Sequence, residues 1–205
     1  MRFDLHIHSK YSPDSFLQLE KIIKVAKKKG LNGVAVTDHN TIKGGLEALK
    51  INKDPNFQII VGSEIKTEYG DVLGLFLNEE IKDHSFNNVI DEIRSQGGIS
   101  ILAHPYRQYH APEELINKFD LVEGFNARSK SFQNVKSLKL ADTFSKPLTA
   151  GSDTHVYFEV GNGAVFVEED IEKALKKGNT KIEGNESNYY WVHGLSVLIE
   201  KIKLM

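Results

Sequence analysis

The chain has 205 residues, 40% of them hydrophobic, which suffices for one substantial core and calls for no second domain, so residues 1–205 are read as a single domain. Its 26 basic and 28 acidic residues leave a formal net charge of -2, which excludes a global attraction to nucleic acid or to an anionic membrane surface, so any phosphate must be bound locally. With no cysteine, disulfides and thiolate metal sites are excluded, and metal ligands must come from His, Asp and Glu.

From the N-terminus, Met1 leads straight into Phe3-Asp4-Leu5-His6 without a basic or apolar leader. No run approaches the roughly 18 apolar residues of a membrane span, so a cytoplasmic protein without a membrane partner is expected. Apolar runs at 3–7, 33–36, 59–61, 72–77, 99–103, 121–125 and 163–167 predict strands. Between them, 17–29 has apolar residues at 19, 22, 23, 25 and 26 and stops at Gly30, while 86–96 stops at Gly97-Gly98; both predict helices. Strands so uniformly apolar, alternating with helices, predict parallel strands covered on their faces, as an open α/β sheet or a β/α barrel. From Trp191, apolar positions 191, 195, 198, 199 and 202 predict an amphipathic C-terminal helix packed on the core.

Ligand-type residues stand at the downstream end of one predicted strand after another: Asp4-Leu-His6-Ile-His8, Thr37-Asp38-His39, Gly62-Ser-Glu64, Ala103-His104-Pro105 and Gly151-Ser-Asp153-Thr-His155. In parallel α/β folds those ends share one functional face, so the five motifs are expected to converge. His6 and His8, two apart on a strand, are expected to point to one side with Leu5 and Ile7 on the other. Imidazole with carboxylate suits Zn, Mn or Fe better than Ca or Mg, and Glu64 is the candidate bridging carboxylate. His84, His110 and His193 stand outside the pattern and are expected to be surface or structural residues.

In order along residues 4–155, these segments resemble the successive motifs of the PHP (polymerase and histidinol phosphatase) superfamily. The resemblance implies a distorted (β/α)7 TIM-like barrel with a multinuclear site of two or three divalent ions. Carried over by position, His6, His8, Glu64 and Asp153 would bind a first ion, Glu64 and His104 a second, and His39 with His155 a third. Asp14, in Tyr11-Ser-Pro-Asp14, stands where family members place a His or an Asp on the third ion. One departure is that some members supply another His beyond the strand ending near Glu123. Here the run from Glu123 to Ser131 has none, so the second ion is expected to be weaker, water-rich, or held by Glu123 or Asn126. The Phe125-Asn-Ala-Arg128 stretch resembles the small phosphatase branch.

The expected chemistry is phosphoester hydrolysis by a hydroxide bridging two ions. Arg128 and Arg107 would bind phosphate oxygens, with Arg128 stabilising the transition state. Asp38 would orient a ligand imidazole or pass a proton to the leaving oxygen. The expected substrate is a small phosphorylated molecule or a short single strand of nucleic acid; long duplex nucleic acid fits poorly, since it needs several phosphate contacts. Histidinol-phosphate phosphatase, an amidohydrolase-type C–N hydrolase and a non-catalytic metal-binding module are the alternatives. The sequence leaves the oligomeric state open.

Overall fold

The computed structural model describes residues 1–107 and 113–204. Its strands are β1 (Arg2–Ile7), β2 (Gly33–Val36), β3 (Gln58–Thr67), β4 (Gly70–Leu75), β5 (Ile99–Leu102), β6 (Leu121–Asn126), β7 (Leu148–Gly151), β8 (Gly163–Phe166) and β9 (Lys181–Gly184). The helices are α1 (Leu19–Lys28), α2 (Lys43–Ile51), α3 (Phe86–Ser95), α4 (Glu113–Ile116), α5 (Ser131–Thr143), α6 (Ile171–Lys177) and α7 (Tyr189–Leu204). None of these helices is long and apolar enough to cross a membrane.

The strands form one sheet in the order β7-β6-β5-β4-β3-β2-β1-β8-β9. It curls into a nearly closed barrel, because the segment after β7 returns to β1: Asp153 N–H donates to the His6 carbonyl at 2.8 Å and His8 N–H to the Thr154 carbonyl at 3.0 Å. Gly151 permits this approach, since a Cβ there would lie 2.3 Å from the Cβ of His6. The expected α/β barrel is therefore present, but its strands are not all parallel. β4 runs antiparallel to β3 and β5, and β8 runs antiparallel to β1 and β9. Two strands escaped the pattern of apolar runs: β7 is a short run broken by Thr149, and β9 is largely exposed.

The barrel interior is filled by Leu5, Ile60, Leu73, Leu75, Ile101 and their neighbours. Outside, Ile22 and Ala26 of α1 pack on Val34 and Val36, while Val89 and Ile93 of α3 pack in the cluster of Val61 and Val72. Both helices therefore bury the faces their spacing predicts, each large side chain contributing about 1.5–3 kcal/mol. Leu5 and Ile7 do not share a side as expected, for Leu5 joins the interior and Ile7 the cluster beneath α1. The cause is a register shift in the pairing of β1 with β2: Asp4 opposes Val34 but Ile7 opposes Val36, so β1 carries an extra residue and its faces switch.

The C-terminal helix also departs from expectation. Trp191, Leu198 and Ile202 of the predicted apolar stripe are 71%, 54% and 52% exposed, while Val192 and Ser196 are buried. Polar anchors decide which side turns inward. The Arg128 guanidinium donates to the Val192 carbonyl and, at 2.8 Å, to Ser196 Oγ. Lys203 Nζ donates to the carbonyls of Lys10, Ser12 and Ser15 at 2.8, 2.6 and 2.6 Å. The helix thereby crosses the barrel mouth with its more polar side down.

Candidate metal centre

At the mouth, four side-chain atoms converge from the end of β1, from within β3 and from the segment after β7. His8 Nε2 lies 3.2 Å from His6 Nε2, 3.2 Å from Glu64 Oε2 and 3.2 Å from Asp153 Oδ1. His6 Nε2 lies 3.5 Å from Glu64 Oε2 and 3.6 Å from Asp153 Oδ1. A tetrahedral ion with bonds of 2.0–2.2 Å requires ligand-to-ligand edges of roughly 3.3–3.6 Å, and these five distances fall close to that range. Glu64 Oε2 and Asp153 Oδ1 are also buried oxygens that accept no hydrogen bond. Buried anionic oxygens without donors are costly unless a cation faces them, which is a second sign that the residues fit a metal.

The surrounding residues set the imidazoles in ligand form. His6 Nδ1–H donates to Glu123 Oε1 at 3.0 Å, turning Nε2 into the cage. His8 Nδ1–H donates to Ser12 Oγ at 2.9 Å, and Ser12 passes its own proton to Asp38 Oδ1 at 2.8 Å. Asp38 also accepts from Ser9 N–H and Ser9 Oγ at 2.6 and 2.7 Å. It is wholly buried and acts on His8 through Ser12, so the orienting role expected for it has a route, while proton delivery to a leaving group has none.

Glu64 is central. Its Oε1 meets His104 Nε2 at 2.8 Å, and its Oε2 lies 3.0 Å from His39 Nδ1 in addition to the two cage imidazoles. Burial alone would raise its pKa, but His6 and His39 hold it well below the ordinary carboxylate value. Burial opposes protonation of His6, yet Asp153, Glu123 and Glu64 together hold its pKa well above 6.5. His39 is likewise raised, its burial outweighed by Glu64 and Asp14. His6 and His39 thus favour their charged forms beside these carboxylates.

A second group brings Asp14 Oδ2 to 2.7 Å from His155 Nε2 and 3.6 Å from His39 Nε2, with His8 alongside. Burial, with the charge of nearby His8, pushes His155 down to about 3, so it stays neutral as a ligand must. Its Nδ1 lies 2.6 Å from Arg128 Nη1, from which the neutral ring accepts, and 2.8 Å from the Asp153 carbonyl, while Nε2 faces Asp14. His104 and Asp153 both occupy the left-handed region, at φ 25° and 54°. Such conformations cost about 1–3 kcal/mol each and are held by their own N–H groups, His104 to Glu123 at 2.8 Å and Asp153 to His6.

The arginines divide. Arg107 bonds Asp153 and Asn126 through Nη1 alone among the described residues, and it lines a cavity of about 470 Å³ over the cluster. Arg128 is buried and committed to protein: Nε lies 3.3 Å from Glu159 Oε1, Nη1 2.6 Å from His155 Nδ1, and Nη2 holds α7. The expected phosphate contact from Arg128 therefore meets a guanidinium already engaged on three sides.

Glu123 and Asn126, the candidates for completing a second ion, are also occupied. Glu123 Oε2 accepts from Asn126 Nδ2 at 3.0 Å, and Asn126 Oδ1 accepts from Arg128 N–H at 2.9 Å. His193, expected to be incidental, lines the cavity from α7. Its Nδ1–H donates to the Tyr189 carbonyl at 2.7 Å, and burial with nearby Arg128 lowers its pKa to about 4, so it presents a neutral ring. His84 does lie apart, with Nε2 on the Ile81 carbonyl at 3.2 Å; His110 is outside the described residues. Asp71 also lines the cavity and was missed by sequence reasoning, as were Ser196 and Glu200 of α7. A search for carboxylates at both ends of each predicted strand would have found Asp71, just before the run at 72–77.

The fold and the site together define a barrel scaffold whose mouth gathers clusters of His, Asp and Glu able to hold divalent metal. Residues 4–140 match the PHP domain family and residues 132–180 the PHP-associated family, and the chain belongs to the PHP family. It is 47% identical over 141 residues to an uncharacterised protein of Methanocaldococcus jannaschii, covering 62% of this chain and 82% of that one. A second uncharacterised protein of the same organism is 34% identical over 186 residues, covering 84% and 73%. Among solved structures, a two-domain protein of Bacteroides vulgatus containing a predicted PHP-like metal-dependent phosphoesterase superposes with a TM-score of 0.75 at 19% identity. The match covers 90% of this chain and 65% of that one, and it speaks to the fold.

Proposed function

We propose that the chain hydrolyses phosphomonoesters with two or three divalent ions of the Zn, Mn or Fe type, acting on a nucleotide, the end of a short oligonucleotide or a small metabolite phosphate. The observation that carries this reading is the convergence of His6, His8, Glu64 and Asp153, five of whose ligand-to-ligand distances, 3.2–3.6 Å, suit tetrahedral ligation while two of the oxygens lack donors. The ions, when bound, would acidify water and neutralise phosphate charge.

The chain's own residues supply the rest. His6 and His8 are held in ligand form by Glu123 and by the Ser12–Asp38 relay. Glu64, reached by His104 on one oxygen and by three further imidazoles on the other, is the bridging carboxylate of the reading. Asp14, His39 and His155 would hold the third ion. Arg107, with Nε and Nη2 uncommitted among the described residues, is the group to grip a nonbridging phosphate oxygen. Arg128 supports catalysis as a positioning residue for His155 and α7. With α7 across the mouth, a cavity of about 470 Å³ suits a terminal phosphate on a small body better than a long duplex.

The test is elemental analysis of the purified protein, followed by phosphate release from a panel of phosphomonoesters and short oligonucleotides with Mn, Zn and Fe separately. Turnover should fall at least about a hundredfold in Glu64→Gln with the circular dichroism spectrum kept. No hydrolysis by the metal-loaded wild type across the panel, or unchanged turnover in the variant, would overturn the proposal.

A further inference from the structure

We infer that Asp71 is the protein ligand that completes the second ion's site, together with Glu64 and His104; the inference rests on the metal-dependent reading above. That site needs a further ligand, because the segment after β6 carries no His and its two alternatives are spoken for. Recruiting Glu123 to an ion would release His6 Nδ1 and the His104 N–H, and recruiting Asn126 would release the Arg128 N–H.

The register of β4 brings Asp71 to the place. On one side Glu64 pairs with Leu73 and Lys66 with Asp71; on the other, Leu73 pairs with Ile101. Two residues along, Ala103 N–H donates to the Asp71 carbonyl at 3.2 Å. Paired residues share a face and strands alternate, so Asp71, Leu73 and Leu75 point one way. Leu73, Leu75, Ile101 and Ala103 all lie in the interior cluster. Asp71 therefore points into the barrel mouth on the same face as Glu64. His104, turned at φ 25°, brings Nε2 to 2.8 Å from Glu64 Oε1 and 3.9 Å from Asp71 Oδ2.

The three ligand atoms lie within 4.8 Å of one another. Two ligands at about 2.0–2.2 Å from one ion stand at most roughly 4.4 Å apart, so small side-chain rotations suffice to close the site. The Asp71 side chain is 16% exposed and meets no Lys or Arg in an ion pair among the described residues; His104 is its ion-pair partner there, with the charges of Glu64, Arg107 and His39 further off. A largely buried carboxylate facing a second carboxylate across a single imidazole is an arrangement that a divalent cation resolves. Because Asp replaces an imidazole, the ligand set is harder and more anionic, which favours Mn over Zn at this position.

The test is anomalous scattering from crystals of wild type, Asp71→Asn and Asp71→His grown with Mn, with bound Mn counted by elemental analysis. The wild type should show a peak between Glu64, Asp71 and His104. Asp71→Asn should lose that peak and one Mn per chain while the peak at His6 and His8 stays, and Asp71→His should restore it. A peak that persists in Asp71→Asn, or a wild type that fills the His6 and His8 cage but not this site, would overturn the assignment. A wild type with neither position filled would overturn the metal-dependent reading itself.

Discussion

Replacing Glu123 by Gln should weaken the first metal position without touching any of its ligands. Three donors converge on this buried carboxylate: His6 Nδ1 on Oε1, and His104 N–H and Asn126 Nδ2 on Oε2. Gln offers one oxygen and one NH2. With its NH2 toward His104 and Asn126, two donors would face donors, each costing about 1–3 kcal/mol. The amide will therefore turn its NH2 toward His6, where Nδ1 must become an acceptor and the ring proton moves to Nε2, the atom that faces Glu64 and Asp153. A ligand presented in the wrong tautomer costs about 10–100-fold in metal affinity, or about 1.4–2.7 kcal/mol. Calorimetric titration of Mn into wild type and Glu123→Gln reads this directly, with thermal melts confirming that the variant folds. Affinity within twofold of wild type would refute the claim that Glu123 sets the His6 tautomer.

Metal binding should be strongly pH-dependent. His6 and His39 have pKa values raised well above 6.5 and His8 is raised too, so the metal-free site holds protons that an ion must displace. The loaded form binds fewer protons, so affinity should rise with pH until those imidazoles are deprotonated in the free protein, by about tenfold per unit for each proton released. Titration in buffers of different ionisation enthalpy should count more than one proton per ion, and a pH-independent affinity would contradict the protonated cluster. For the buried pair, Arg128→Met leaves Glu159, with a side chain 0% exposed, without its cation. The variant should lose about 3–5 kcal/mol in urea denaturation, and adding Glu159→Gln should recover part of it. A loss below about 1 kcal/mol in the single variant would show that the pair and its hold on α7 carry little stability.

Much of the site was legible in residue order. His6, His8, His39, Glu64 and His104 each end or follow an apolar run, Asp153 and His155 stand in a motif of their own after β7, and for parallel strands the downstream ends meet at one mouth. Asp14 was readable from its loop after β1. The same rule hid Asp71: β4 runs backwards, so its upstream end reaches the mouth, and strand direction is set by pairing partners distant in the chain. Helical period likewise marked which residues of α7 share a side but not which side turns in. That was decided by Arg128 and Lys203, whose acceptors lie on α7 and on the loop bearing Asp14. Sequence by itself determined the ligand types and the alternation of apolar strands with helices, because these are local properties, while the barrel rather than an open sheet was implied only by the resemblance of the ordered motifs. Tertiary structure alone decided which donors were already spent, on Glu123, Asn126 and Arg128, because each buried polar group must be satisfied and its partner is known only once the chain has folded.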